Sequence, residues 1–179
     1  MSKTGTNHIA SSIAIFKQYK TLAEKAMAQL NDEDLFFQPN EESNSIYLII
    51  KHLSGNMQSR WTDFMTSDGE KDWRNRDEEF NQQGQPSREE VMQLWEKGWQ
   101  CLFDALSPLH EADLAAPIYI RSEAHSVMEA INRQIAHYSY HVGQIVFIAK
   151  IVVNTDWKTL SIAKGRSSDF NKRMNHLTK

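Results

Sequence analysis

With a single cysteine, Cys101, in 179 residues, the chain can form no internal disulfide, so packing, or packing helped by a metal, must hold the fold. That usage fits a reducing cytoplasm. Proline and glycine are also scarce, at 4 and 7. The prolines, Pro39, Pro86, Pro108 and Pro117, fall between long periodic segments, and because proline ends helices they mark the connections. No run approaches the roughly 20 apolar residues of a membrane-spanning helix. The stretch from Ile9 to Phe16 is broken by serines and followed by Lys17 and Lys20, without the basic start, long apolar run and cleavage site of a signal peptide. The expected location is therefore cytoplasmic, with no membrane partner. Excess charge of one sign is missing too. Twenty Lys and Arg against 23 Asp and Glu leave a formal charge of -3, which gives no reason to expect nucleic acid as a partner.

What is present is hydrophobic residues, 40% of the chain, enough for one domain over residues 1–179 with a real core. Four segments carry apolar residues at three- and four-residue spacing. The first runs from about Asn7 to Leu30. The second follows a cap at Ser43 or Asn44 and carries Ile46, Ile49, Ile50, Leu53, Met57, Trp61 and Phe64. The third follows Ser87 and Glu90, which have capping-box spacing, and turns Val91, Leu94, Trp95, Trp99, Leu102, Phe103 and Leu106 inward. The fourth follows a second box, Ser126 and Glu129, and carries Val127, Ile131, Ile135, Tyr138, Val142, Ile145, Ile148 and Val152. Four such helices predict an all-α four-helix bundle. Between the second and third lies a charged connection, Ser67 to Pro86, with Trp73 and Phe80 as expected aromatic anchors. Pro117 to Arg121 reads as extended. The locally basic segment from Asp156 to Lys179 reads as a solvated tail wrapping the bundle.

Chemistry concentrates in the histidines. His137 and His141, four apart, project from one face of the fourth helix. That spacing suits a chelate, and it equally suits a pair of hydrogen-bonded core histidines. His52, at the edge of the second helix's apolar face, can meet them in the core or in a cleft opening from it. Three neutral imidazoles suit Zn²⁺, Ni²⁺ or Fe²⁺ and leave a coordination position open for water or substrate. His8 and His176 lie near the termini, His110 in a connection, and His125 beside a helix start with no spacing that pairs it to the others.

His52-Leu53 in the second helix together with His137-Tyr-Ser-Tyr-His141-Val-Gly143-Gln144 resembles the DinB-like superfamily, whose members are expected to be metalloenzymes. The similarity covers nearly the whole chain. It implies an up-up-down-down four-helix bundle and a three-histidine metal site, which falls on His52, His137 and His141. A narrower similarity, to a bacterial branch without an assigned role, lies in Lys51-His52-Leu53-Ser54-Gly55-Asn56-Met57, Arg60-Trp61-Thr62-Asp63-Phe64, Asp68-Gly69-Glu70-Lys71, Trp73-Arg74-Asn75-Arg76-Asp77 and Ser161-Ile162-Ala163-Lys164-Gly165. That branch often has proline where this chain has Ala163. Characterised relatives include bacillithiol- and mycothiol-using transferases and a mycothiol-dependent isomerase, in which the metal lowers the pKa of the cofactor's thiol.

The resemblance thus implies a divalent-metal-dependent enzyme that adds a low-molecular-weight thiol, such as bacillithiol, to a small electrophile. Two alternatives stand beside it: a metal-dependent hydrolase, weakened by the lack of a His-Glu-x-x-His base, and a non-catalytic, metal-stabilised binding protein. A homodimer fits any of the three. Around the histidines, Gln144 and Asn56 either orient a ligand or bond internally, and Gly143 is expected to permit close helix packing. Tyr138 and Tyr140 flank the ligand positions and are expected to pack rather than transfer protons. The arginines of the Trp73 to Asp77 run either bind a substrate carboxylate or, the favoured reading, pin the connection by salt bridges. Cys101, with no cationic neighbour in sequence, is not expected to be a nucleophile.

Overall fold

The computed structural model describes residues 3–82 and 84–177. The described chain is mostly helical, with five α-helices: α1 (Lys3–Met27), α2 (Ile46–Trp61), α3 (Arg88–Leu106), α4 (Val127–Val153) and α5 (Ser167–Leu177). Two short strands, β1 (Pro117–Ile120) and β2 (Glu123–Ser126), form an antiparallel hairpin just before α4. Among the described residues no helix is long and apolar enough to cross a membrane.

Local signals account for the starts of α2, α3 and α4. Ser87 and Glu90 exchange backbone-to-side-chain bonds of 2.8 and 3.3 Å at the start of α3, and Ser126 and Glu129 do the same at α4 at 2.7 and 3.2 Å. Each box satisfies backbone donors that a helix start leaves free. The cap of α2 is Ser45, whose Oγ accepts from the Leu48 amide at 3.3 Å, rather than Ser43 or Asn44. Ser43 instead closes a turn, its hydroxyl donating to Asn40 Oδ1. At the other end of α1, Arg88 donates to the Met27 and Leu30 carbonyls, so the exposed acceptors of that helix end are covered from α3's first turn.

Helix α2 packs most extensively on α3, and α1 on α4; α4 also touches α2, and α3 touches α1. The four long helices therefore enclose one core. At its centre Phe16 of α1, Trp99 of α3 and Tyr138 of α4 stack in tilted and edge-on pairs with ring centroids 5.7–6.3 Å apart. Such pairs contribute about 0.5–1.5 kcal/mol each beyond their buried area. Trp61, Trp95 and Trp99 are all core residues. Gly98 lets α3 approach α2, since a Cβ there would lie 2.9 Å from the Ser54 Cα.

Two expectations change, and a third is met with an addition. Trp73 is 60% exposed and anchors nothing; of the two expected anchors only Phe80 serves. The extended run after Pro117 acquires a partner strand, because Ile118 and Ile120 bury one face while the chain reverses at Arg121-Ser122. The segment expected to be a tail contains α5, which is exposed along most of its described length. Its start does wrap back: Gln29 in the turn after α1 bonds the Lys158 backbone in both directions, at 3.1 and 2.7 Å. The side chain of His176 and residue Lys179 lie outside the described residues.

Candidate metal centre

Because α2 and α4 touch, His52 meets His137 and His141 where the core opens to solvent. One ring nitrogen of each lies within 4.8 Å of the others, and among the described residues no other trio of His, Cys, Asp or Glu is arranged to hold an ion. The Nε2 of His137 is 3.3 Å from Nε2 of His52 and 3.1 Å from Nε2 of His141. Two nitrogens bound to one ion at about 2.0–2.2 Å, with ligand angles of roughly 90–110°, lie about 2.8–3.6 Å apart. The two spacings about His137 fit a shared ion, and the third pair, His52 and His141, lies within 4.8 Å.

The other ring nitrogens decide what faces the centre. His52 Nδ1 donates to Glu79 Oε2 at 2.8 Å, His141 Nδ1 to Gln144 Oε1 at 2.8 Å, and His137 Nδ1 to Gln134 Oε1 at 3.4 Å. With the protons held on Nδ1, all three Nε2 atoms present lone pairs to one another, an arrangement in which they cannot hydrogen-bond among themselves. Ligating histidines are commonly fixed in this way, by an acceptor behind the ring. Burial first, then His141, His52 and the charges of Arg60 and Arg74, push His137 down to about 3. Burial and His52 push His141 down to about 4 against the Gln144 bond. Both rings are thus neutral at neutral pH, the form a metal requires.

Glu79 comes from the short 3₁₀ turn Asp77–Phe80, and its carboxylate joins two buried partners. Arg74 donates to it twice, once to each oxygen, at 2.7 and 2.9 Å, and His52 bonds Oε2 as well. Burial opposes its ionisation, but bonds from His52 and Arg74 outweigh that and hold the carboxyl below its usual range. The favoured reading of the Trp73 to Asp77 run therefore holds for Arg74, which pins the connection and, through Glu79, orients His52. Gly55 makes the room: a Cβ there would lie 2.2 Å from Glu79 Oε1. Phe80 closes the other side by stacking on His52, ring centroids 5.0 Å apart.

Over the histidines lies a cleft of about 510 Å³, within the usual range for small-molecule sites. Arg60, Arg74, Arg76, Arg121 and Arg133 line it, with Asn44, Asn56, Phe80 and Tyr140. A larger depression of about 970 Å³, bordered by Glu24, Met27, Arg88 and Met92, gathers no histidine or cysteine; the chemistry lies with the smaller cleft. Arg121 reaches its place through an unusual turn. It and Ser122 have φ of 56° and 64°, a left-handed pair that two-residue hairpins normally fill with Asn-Gly. Each such residue costs on the order of 1 kcal/mol or more. Asp68 offsets this by accepting the Arg121 and Ser122 amides at 2.8 and 2.7 Å, and Gly69 bonds Tyr119 across the same junction at 2.8 Å.

The remaining sequence candidates sort clearly. Gln144 does orient a histidine. Asn56 accepts the Tyr138 hydroxyl at 3.2 Å, and that hydroxyl accepts from Trp61 Nε1 at 3.1 Å. Burial pushes the Tyr138 phenol up, so it packs and bonds rather than titrates. Tyr140 is exposed, with its ring beside His141. Gly143 does not serve close packing: it faces outward, with nothing within 4 Å of a Cβ built there. His125 sits on β2, 3.6 Å from Glu123, away from the cleft, and His110 begins a 3₁₀ turn. His8 lies half-buried in α1. Burial raises the Cys101 thiol, in keeping with an inert side chain.

Sequence reasoning missed Glu79, Gln134, Arg60, Arg121 and Arg133. Gln134 was findable, since it precedes His137 by the same three residues that separate His141 from Gln144. Residues 3–166 match the family described as Protein of unknown function (DUF1572). No curated protein and no solved structure matches.

Proposed function

The chain belongs to the DUF1572 family, a DinB-like family of unknown function, and from its histidine site together with the resemblance to thiol-using relatives we propose that it is a divalent-metal-dependent enzyme transferring a low-molecular-weight thiol to a small electrophile. The observation that carries this is the convergence of three Nε2 lone pairs, each imidazole held from behind by its own acceptor. In the proposal His52, His137 and His141 hold zinc, nickel or iron within a single domain, a four-helix bundle of DinB-like up-up-down-down order. Three protein ligands leave one position for an exogenous group. A bound ion there supplies Lewis acidity that lowers the pKa of a thiol or water.

The chain's own groups favour a thiol over water as the nucleophile. Water attack needs a base poised to take a proton, and no carboxylate lines the cleft. Glu79 is the nearest, and both its oxygens are occupied by Arg74 and His52. A thiol, with an ordinary pKa near 8.5, needs far less help to ionise. Asn44, Asn56 and Tyr140 then offer neutral polar contacts for orienting bound groups, and Phe80 shields His52 from water.

The test begins with elemental analysis of tag-free protein beside a variant with His52, His137 and His141 changed to alanine. About one metal per chain in the wild type and none in the folded variant is the expected result. Both proteins metal-free after reconstitution with zinc, nickel and iron would overturn the proposal. Loaded protein is next offered a thiol panel, bacillithiol included, with a haloaromatic electrophile; conjugation is expected, whereas ester or lactone cleavage without thiol would move the assignment to hydrolysis. Sedimentation of the same preparation tests the proposed homodimer.

A further inference from the structure

The chain as a whole is slightly acidic, with a formal charge of -3, yet its histidine cleft is lined by five arginines and no carboxylate. Two carboxylates stand immediately behind that wall. Glu79 is taken by Arg74, and Glu70 is shared between Arg60 and Arg121 at 3.1 and 3.0 Å. Arg76 lies 4.0 Å from Asp77, which is almost fully exposed, and rests its guanidinium over the Phe80 ring. Arg133 has no hydrogen bond or ion pair to any described residue. The cleft therefore carries more positive charge than its own neighbours neutralise, and a divalent ion at the histidines would add to the excess.

The arginines also differ in how they are committed. Arg74 spends its donors on Glu79, and Arg60 is buried and bonded to the Gly69 carbonyl. Arg76, Arg121 and Arg133 are instead exposed, and among the described residues only the Arg121 Nε of their donors is given to a carboxylate within hydrogen-bond distance, that of Glu70. Arg121 is there at a conformational cost, in a left-handed turn held by Asp68. A turn built only to reverse two strands would be satisfied by asparagine and glycine. An outlying backbone that delivers a guanidinium to a cavity points to use of that guanidinium.

We infer that the cleft recognises a small anionic ligand, by a carboxylate or phosphate group gripped between Arg76, Arg121 and Arg133, while the ligand's other end faces the three histidines. Guanidinium groups match both oxyanions with paired N–H donors. The inference deepens the proposed function and rests on it for what happens at the histidines. The anion grip itself does not need the metal.

That separation sets the experiment. Metal-free and zinc-loaded protein are each titrated calorimetrically, at low salt, with inorganic phosphate and with succinate, and with succinamide as the uncharged control. Saturable binding of at least one anion to the metal-free protein is expected, weakening as salt rises. Stronger binding of succinate or of phosphate identifies the headgroup class. Arg133→Gln, at an exposed site with no partner to lose, is expected to weaken binding several-fold, Arg133→Lys to restore part of it, and Arg121→Gln with Arg133→Gln to weaken it by roughly tenfold or more. Zinc content should stay unchanged in all of them. Equal binding of succinamide, no anion binding to the metal-free protein, or unchanged affinity in the double variant would overturn the inference. Loss of anion binding with stoichiometric zinc sinks only the anion site; anion binding with no zinc sinks only the metal centre.

Discussion

Helices α4 and α2 are each built in two registers of chemistry. Along one stretch they face the aromatic heart of the core, where Tyr138 meets Phe16 and Trp99 and Trp61 bonds the Tyr138 hydroxyl. On an adjoining face they border the cleft, where His52, Glu79 and Arg74 form a buried polar chain. The first region gains from removing apolar surface from water. The second desolvates charges, a cost that pairing only offsets. The difference teaches where stability and specificity reside: the aromatic side is what makes the chain fold, and the polar side is what folding is for.

Truncation on the aromatic side should have the largest effect on stability. Trp99→Ala is expected to cost about 3–5 kcal/mol, read from urea denaturation, because Trp99 is fully buried among four rings. A loss under about 1 kcal/mol would mean that the core repacks and the contrast is false. On the polar side the expected effect is on affinity. Glu79→Gln should weaken zinc binding roughly 10- to 100-fold, as loss of an orienting acceptor commonly does. Gly55→Ala, which displaces the same carboxylate, should act in the same direction. Competition with a chelator measures both, and unchanged affinity in both would show that His52 needs no support.

Acid separates the regions further. The folded protein holds His137 at about 3 and His141 at about 4, whereas in the unfolded chain both titrate near 6.5. Below that value the unfolded state takes up protons that the folded state refuses. Stability of the metal-free protein should therefore fall as pH drops from about 6.5 towards 4, and level off for these groups near 3. The lowered Glu79 carboxyl adds to the loss in the same direction at the acid end. Urea midpoints of chelator-treated protein at about pH 7 and about pH 5 check this; a variant with both His137 and His141 changed to glutamine should show the flatter profile. The smallest effect has the opposite sign. Gly143→Ala, on the exposed face of α4, should stabilise by about 0.5–1 kcal/mol through helix propensity alone, visible as a rise in melting temperature.

What sequence could say about the site depended on how far apart its parts lie. His137 with His141, and Gln144 behind it, share one helix, so periodicity alone places them on one side. The same periodicity explains the misreading of Gly143, which two residues past His141 points nearly to the opposite side. The capping boxes were legible because each is complete within four residues. Glu79 was not, because it reaches His52 from a 3₁₀ turn 27 residues later, inside a charged stretch where one acidic residue looks like any other. Arg121 was hidden for another reason: Arg-Ser lacks the sequence of a tight hairpin turn, and only Asp68, 53 residues earlier, makes that conformation stable. The helical class followed from patterning, while the start of the basic segment folds back through the Gln29 to Lys158 bonds, which no local pattern announces.

The clasp of Asp68 and Gly69 on the hairpin changes what kind of loop the α2–α3 connection is. Surface connections ordinarily absorb insertions and deletions freely. Here the chain is fastened at Asp68 to the hairpin and at Glu79 to His52, so the residues between are a spacer of fixed length. One residue gained or lost there would carry Glu79 off its seat above Gly55. Length variation among relatives, and any engineered insertion, should therefore be confined to the stretch after Asn81.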